Sequence, residues 1–310
     1  MKAVVTGAAG FVGHHLCNGL LADSRFEDVV GIDCLTDYYD TALKRSNLSL
    51  IHDDGRFRFV EADLSSADLG SVVGDADVVF HQAGQPGVRA SWGATFGDYL
   101  THNILATQRL LEYVASGGVE IRRFVYASSS SVYGNAIVYP TTELTLPAPV
   151  SPYGVTKLAA EHMCTLYARN FGVPTVSLRY FTVYGPRQRP DMLFARLVAS
   201  LNGGAPVKIF GDGEQIRDFT HVDDIVRANI AAGLSDCAPG SVFNISGGTN
   251  VSVRDVIRIL SGLTGRDVPV VFGDRVPGDA VRTGGDSTSA SAALSWQPRI
   301  ALEVGLESML

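Results

Sequence analysis

The sequence predicts an α/β fold built on a parallel, doubly wound sheet. Three observations carry this. A short apolar run at the N-terminus leads into the glycine loop Gly7-Ala8-Ala9-Gly10-Phe11-Val12-Gly13 and then an apparent helix. Short apolar runs alternate with helical patterns through the rest of the chain, the signature of repeated βα units. A Tyr-x-x-x-Lys pair, Tyr153 and Lys157, opens a further helix behind a run of serines.

The first strand is Lys2–Thr6, short and apolar, and the helix after the loop extends to Leu21. Strand, glycine loop and helix in that order are the context of a phosphate-binding turn. Gly7 permits the tight turn, Gly10 lets backbone approach a pyrophosphate, and Gly13 lets helix pack on strand. The helix N-terminus offers free N–H groups and a positive dipole end to an anion. The spacing is G-x-x-G-x-x-G rather than G-x-G-x-x-G. A second strand at 29–32 ends at Asp33, 20 residues beyond Gly13, where an acid binds the adenosine ribose hydroxyls. No arginine follows directly to hold a 2′-phosphate, which favours NAD over NADP.

Strands at 57–60 and 78–81 follow, ending at Glu61-Ala62-Asp63 and Gln82-Ala83-Gly84. The small residues of the latter permit close approach of backbone to ligand. His81 reads as a hydrogen-bonded strand-end histidine. An amphipathic helix spans 98–115, and strands at 123–127 and 175–179 complete the pattern. Ligands of such sheets sit beyond the carboxyl ends of the strands.

Tyr153 and Lys157 stand four apart after Pro152, on a helix running to Phe171. Residues four apart share a helical face, so phenol and ammonium point the same way. A neighbouring cation lowers a phenol's pKa, and such a tyrosine takes a proton from an alcohol near neutral pH. The pair alone is a pattern that any wet helix face shows; the glycine loop and the serines give it meaning. Ser128-Ser129-Ser130-Ser131 closes the fifth strand, ahead of Val132-Tyr133-Gly134. Hydroxyls both donate and accept, which suits a sugar hydroxyl that becomes a ketone.

At 310 residues and 46% apolar, the chain holds one large or two interlocked domains with a substantial core. A net charge of −7 argues against nucleic acid. Cys17, Cys34, Cys164 and Cys237 are scattered without C-x-x-C, so neither zinc nor a disulfide framework is expected. Asp223-Asp224 reads as an acid pair at a helix start, not a metal site. No apolar run approaches the ~20 residues of a membrane span. The chain enters a strand almost at once, leaving no room for a signal peptide. The expectation is a soluble cytoplasmic protein.

Together, the Gly7–Gly13 loop, Asp33, Asp63, the serine run with Val132-Tyr133-Gly134, and Tyr153/Lys157 resemble the extended short-chain dehydrogenase/reductase family. More narrowly, they resemble its NAD-dependent nucleotide-sugar epimerases and dehydratases, over essentially the whole chain. The resemblance implies a Rossmann-type cofactor domain, 1–182 and 220–246, and a smaller α/β substrate lobe, 183–219 and 247–310. It implies Tyr153 as base, Lys157 holding the nicotinamide ribose and tuning Tyr153, and Ser129 bridging Tyr153 and the sugar O4. It implies NAD contacts from Gly7, Gly10, Phe11, Val12, Gly13, Asp33, Lys44, Asp63, Leu64, Gln82, Ala83, Gly84, Tyr180 and Val183. Phe210 would lie by the nucleotide base with Gln215 nearby. Arg217 and Arg275 would meet the diphosphate and Asp279 the ribose; paired guanidiniums suit phosphate oxygens. The helices at 98–115 and 153–171 carry surplus apolar residues, and in the family they form a four-helix bundle between two copies, implying a homodimer.

Family dehydratases carry Asp-Glu before the valine of Val-Tyr-Gly, and decarboxylases a Glu. Here both positions are serine, Ser130 and Ser131. Serine is a poor acid or base without help, so elimination is disfavoured and 4-epimerisation remains. The segment from Gly185 to Met192, Asp37-Tyr38-Tyr39-Asp40 with Lys44-Arg45, and Gly87-Val88-Arg89 resemble UDP-glucuronate 4-epimerases. Ser130, Ser131, Thr182, Arg89 and Arg189 would then contact the UDP-sugar, with Arg189 holding the uronate carboxylate. UDP-glucose or UDP-N-acetylhexosamine is the alternative substrate. A dehydratase or decarboxylase, and a non-catalytic NAD sensor, stand as readings from other classes.

Overall fold

The computed structural model describes residues 1–51, 53–274 and 280–310. The strands in chain order are β1 (Lys2–Thr6), β2 (Asp28–Asp33), β3 (Phe57–Glu61), β4 (Val78–His81), β5 (Arg123–Ser129), β6 (Thr175–Tyr180), β7 (Thr182–Tyr184), β8 (Val207–Phe210), β9 (Ile216–Arg217), β10 (Phe219–His221), β11 (Ser241–Ile245), β12 (Val251–Ser252) and β13 (Val270–Gly273). Seven of them form one sheet, in the order β11-β6-β5-β4-β1-β2-β3. Every pair in it is parallel. The predicted doubly wound α/β fold is thus observed.

Successive side chains of a strand face opposite layers, and the core divides accordingly. Ala3, Val5, Val29, Val78, Phe80 and Val125 join one cluster, under the helices Phe11–Leu21 and Val222–Leu234. Val4, Val30, Ile32, Val79, Phe124 and Tyr126 join the other, with Leu110, Leu111, Ala160 and Cys164. A third cluster, including Tyr184, Phe194, Phe219, Val256 and Leu306, draws its members from residues 184–219 and 253–306. The pairs β7·β10, β8·β13 and β9·β12 lie around it. Among the described residues no helix is long and apolar enough to cross a membrane.

The helix expected at 98–115 starts at Phe96 and is π-helical over Leu100–Leu105. The widened turn brings Asn103 inward, where its Oδ1 accepts Gln85 N at 2.6 Å and its Nδ2 donates to Thr156 Oγ1 at 3.0 Å. Such insertions cluster at functional sites.

The long helix Pro152–Phe171 has the expected local signals. Ser151 caps it by accepting Gly154 N at 3.1 Å, Pro152 occupies the first turn, and Gly172 ends it in the left-handed conformation. Its N-terminus packs against the turn after β5. A Cβ at Gly154 would stand 2.6 Å from Ser131 O, so only glycine allows that approach. The helix is locked to the sheet by a buried ion pair. Arg179 of β6 donates to both Glu161 oxygens, Nε to Oε2 at 2.9 Å and Nη2 to Oε1 at 2.5 Å. Ser128 Oγ donates to the same Oε2 at 2.6 Å.

Breaking a buried pair strands the remaining charge and typically costs ~3–5 kcal/mol. Glu161→Ala is therefore expected to lower unfolding free energy by about that much in denaturant melts. A loss within the ~0–1 kcal/mol of a surface pair would show that the Arg179–Glu161 bond does not hold the helix.

Candidate active site

A continuous cleft runs along the carboxyl ends of β1, β2, β4, β5 and β6. Its first half is lined by Gly7, Gly10, Phe11, Val12, Gly13, Asp33, Lys44, Asp63, Leu64, Gln82, Ala83 and Gly84. Its second half is lined by Ser129, Ser130, Ser131, Tyr153, Lys157, Tyr180, Thr182 and Val183. Phe11, Val12, Gln82, Gly84 and Arg189 line both.

The helix Phe11–Leu21 points its N-terminus at the first half. Gly10 caps it without a side-chain bond, and its first turn carries no acid, so the end is left electropositive. Gly13 is required by close approach, since a Cβ there would lie 2.0 Å from Gly7 O. At the end of β2, Asp33 Oδ2 accepts Ala9 N at 3.1 Å and Oδ1 accepts Leu35 N at 2.8 Å. The carboxylate is held at the sheet edge with further lone pairs to spare. Lys44 is buried, donates to Thr36 Oγ1 at 3.0 Å, and lies 5.1 Å from the Tyr39 ring centre. A glycine turn on an uncapped helix end, followed by an acid closing the next strand, fits a dinucleotide such as NAD.

In the second half, Ser129 ends β5 and Ser130–Val132 forms one helical turn, whose start is capped by Ser129 Oγ accepting Ser131 N at 3.1 Å. Tyr153 and Ser129 line the same half of the cleft, and the serine hydroxyl near the phenol favours its ionised form. Burial raises the Tyr153 pKa above its ordinary value, with Ser129 and the charge of Arg189 pulling it back only in part. Burial also brings the Lys157 ammonium down to about 8. The two share a helical face, but the Lys157 ammonium sits 4.6 Å above the Tyr126 ring and makes no hydrogen bond to Tyr153 among the described residues. Among the charges that bear on the phenol is Arg189.

Tyr180 OH stands 3.0 Å from Gln82 Oε1 and 2.9 Å from Asn229 Oδ1, and its single proton serves one of these acceptors at a time. His81 bonds Thr6 Oγ1 at 2.7 Å and Thr107 Oγ1 at 2.9 Å, the hydrogen-bonded strand-end histidine expected. Asp223 and Asp224 stand in the first turn of Val222–Leu234, and buried Asp224 accepts Arg299 N and Ile300 N.

Arg189 lies between the two halves. Its Nε and Nη2 each donate to Asp191 at 3.0 Å. Four predicted contacts lie apart from this cleft's lining. Arg89 stacks on Phe210, 4.3 Å from the ring centre, and Gln215 Nε2 donates to Phe210 O at 3.2 Å. Arg217 donates to Ile216 O at 2.8 Å. Arg275 and Asp279 fall outside the described residues. Tyr38, Tyr39 and Met192, quoted above only as parts of family motifs, also line the cleft, as do Gln85 and His102, which no local motif marks.

Comparison with known proteins agrees with this geometry. Residues 3–246 match the NAD dependent epimerase/dehydratase family. The crystal structure of UDP-glucuronic acid 4-epimerase from Bacillus cereus, in complex with UDP-glucuronic acid and NAD, is 45% identical, with a TM-score of 0.95 over 99% of this chain and 97% of that one. A Bacillus subtilis (strain 168) protein, the uncharacterised UDP-glucose epimerase YtcB, is 44% identical over 306 residues, 99% of this chain and 96% of its own. The UDP-glucuronate 4-epimerase of Thermodesulfobacterium geofontis (strain OPF15) is 35% identical over 98% of this chain and 93% of its own. With the glycine turn, the strand-end acid and the serine–tyrosine–lysine group all on one cleft, the chain belongs to the NAD-dependent epimerase/dehydratase family.

Proposed function

We propose that this protein is an NAD-dependent UDP-sugar 4-epimerase that interconverts UDP-glucuronate and UDP-galacturonate. The observation that carries the reading is the grouping of Ser129, Tyr153 and Lys157 beside the glycine turn, with serines at both positions before Val132 lining the same cleft. Bound NAD supplies one thing, acceptance of hydride from C4 and its return to the opposite face. Tyr153 takes the O4 proton as the hydride leaves, so the C4 alcohol becomes a ketone; it gives the proton back when the ketone is reduced. Ser129 bonds both Tyr153 and O4 and holds the oxygen in line. Lys157, charged below about pH 8, orients the nicotinamide ribose. Burial opposes ionisation of Tyr153, and bound, oxidised NAD would add positive charge that favours it. Phe210 and Arg89 flank the uracil, with Gln215 beside them and Arg217 toward the diphosphate.

Residues 1–182 and 220–246 are read as the cofactor domain and 183–219 with 247–310 as the substrate lobe. The separate third core cluster supports that division. Apolar side chains left exposed on two helical stretches, Leu100, Leu105, Val155, Leu166 and Phe171, support a twofold homodimer through a four-helix bundle. Light scattering at micromolar concentration is expected to return twice the chain mass; a monomer mass refutes the dimer.

Oxidising a uronate at C4 creates a β-keto acid, which loses carbon dioxide when the carboxylate bond aligns with the ketone π system. The epimerase must hold the carboxylate out of that alignment while the ring turns. Arg189, Ser130, Ser131 and Thr182 line the same half of the cleft and are proposed to do so. A charge-assisted bond to arginine contributes about 1.5–3 kcal/mol. A neutral UDP-hexose is the second reading, favoured by one observation: Arg189 is already paired with Asp191.

Product analysis tests the reaction. Incubation with UDP-glucuronate is expected to give an epimer of unchanged mass, identified by proton NMR. Arg189→Ala is expected to raise KM for UDP-glucuronate and release a UDP-pentose beside the epimer. Loss of water or carbon dioxide in the wild type rejects epimerisation. Tyr153→Phe is expected to lower turnover by roughly 10²–10⁴-fold while leaving UDP-sugar binding nearly intact, and near-normal turnover excludes Tyr153 as the base.

A further inference from the structure

Arg189 and Asp191 are two residues apart on the loop before the helix Leu193–Leu201. Their contact is bidentate, Nε to Oδ1 and Nη2 to Oδ2, both at 3.0 Å. A guanidinium carries five N–H donors. Asp191 occupies Nε and one hydrogen of Nη2. Nη1 makes no hydrogen bond among the described residues. The edge formed by Nη1 and Nη2 is therefore the one left for a second acceptor, and two parallel bonds there match a carboxylate. The side chain of Arg189 is 17% exposed and that of Asp191 39%, so the acid lies on the solvent side of the pair. The loop does not need the pair to hold its turn, since Met192 N donates to Arg189 O at 3.0 Å.

We propose that Asp191 sets the sugar selectivity of the cleft, by holding one edge of the Arg189 guanidinium and cancelling much of its charge. The inference rests on the reading of Arg189 as the residue facing the C6 group of the sugar. A nearly neutral ion pair still donates two hydrogen bonds to a uronate carboxylate. It also accepts a neutral hydroxymethyl group, beside which an uncompensated, mostly buried guanidinium would stand without a counter-charge. Asp191 is thus a specificity-determining residue that tempers preference for the acid sugar. Tyr38 belongs to the same device: its ring centre lies 6.0 Å from Arg189 Cζ, and its hydroxyl stands 3.5 Å from Asp191 Oδ2.

The test compares kcat/KM for UDP-glucuronate and UDP-glucose in the NAD-loaded wild type, Asp191→Asn and Asp191→Glu. Calorimetric binding of both nucleotides to the Tyr153→Phe protein, with and without Asp191→Asn, gives a second readout free of turnover. Asp191→Asn is expected to raise the uronate-to-glucose ratio roughly tenfold, the weight of about 1.4 kcal/mol, mainly through KM. Asp191→Glu should keep the wild-type ratio. Asp191→Ser removes the charge through a second side chain, should asparagine not fold. A merely structural role would lower both substrates alike, so a ratio that is unchanged, or moved toward UDP-glucose, overturns the proposal. If the wild type binds UDP-glucuronate yet epimerises none, the reaction assigned above fails, and the binding ratio still decides Asp191.

Discussion

Two charges removed from water, Arg179 and Glu161, determine how the central helix meets the sheet. Such a pair recovers its desolvation only when the surrounding hydrogen bonds are complete, and here they nearly are. Glu161 accepts two bonds from Arg179 and one from Ser128. Arg179 Nη1 donates to Tyr133 OH at 2.6 Å, and that hydroxyl donates onward to Asn244 Oδ1 at 2.7 Å. The network thereby ties β5, β6, β11 and the helix Pro152–Phe171 together. Glu161 stands one helical turn beyond Lys157 and two beyond Tyr153, so the pair fixes the rotation of the face carrying both. Ser128 adjoins Ser129, so the same bonds fix the strand end that faces the phenol. The tight seat of Gly154 on Ser131 completes the alignment.

Burial supplies rigidity to the reacting groups and works against their ionisation. It raises the Tyr153 phenol and lowers the Lys157 ammonium. Arg189, on a loop that follows β7, offsets part of the rise in the phenol. That loop is anchored across the cleft. Arg187 donates to Asn47 Oδ1 at 2.9 Å and holds a positive φ of 59°, a backbone state that costs of order 1–3 kcal/mol outside glycine. Cofactor and sugar halves are therefore joined by the same residues that set the electrostatics of the base.

Much of the site was legible because its chemistry demands local patterns. Phosphate contact needs a glycine turn on a helix end, so Gly7, Gly10 and Gly13 stand within seven residues. An acid that closes the neighbouring strand at a fixed interval is part of the same local pattern, and Asp33 stands there. The strands were legible because a fully covered parallel sheet needs continuous apolar runs. Arg89 stacks on Phe210 and Gln215 donates to the Phe210 carbonyl, contacts made across chain separations that no local pattern marks. The π-helical turn at Leu100–Leu105 had no such signal, because it answers to Asn103 reaching Gln85 and Thr156 across space.

By itself the sequence determined the sheet, the glycine turn, the strand-end acid and the shared face of Tyr153 and Lys157, all consequences of backbone periodicity and short-range stereochemistry. Only the tertiary structure showed that a second cation, Arg189, bears on the phenol. Helical spacing puts Lys157 on the face of Tyr153, with its ammonium 4.6 Å above the Tyr126 ring, whereas Arg189 arrives from a loop 36 residues beyond Tyr153. Tertiary contact likewise decided that Arg189 is paired with Asp191 and that Glu161 is the partner of Arg179. Coulomb energies depend on distance and on the surrounding dielectric, and neither is written in the order of residues along the chain.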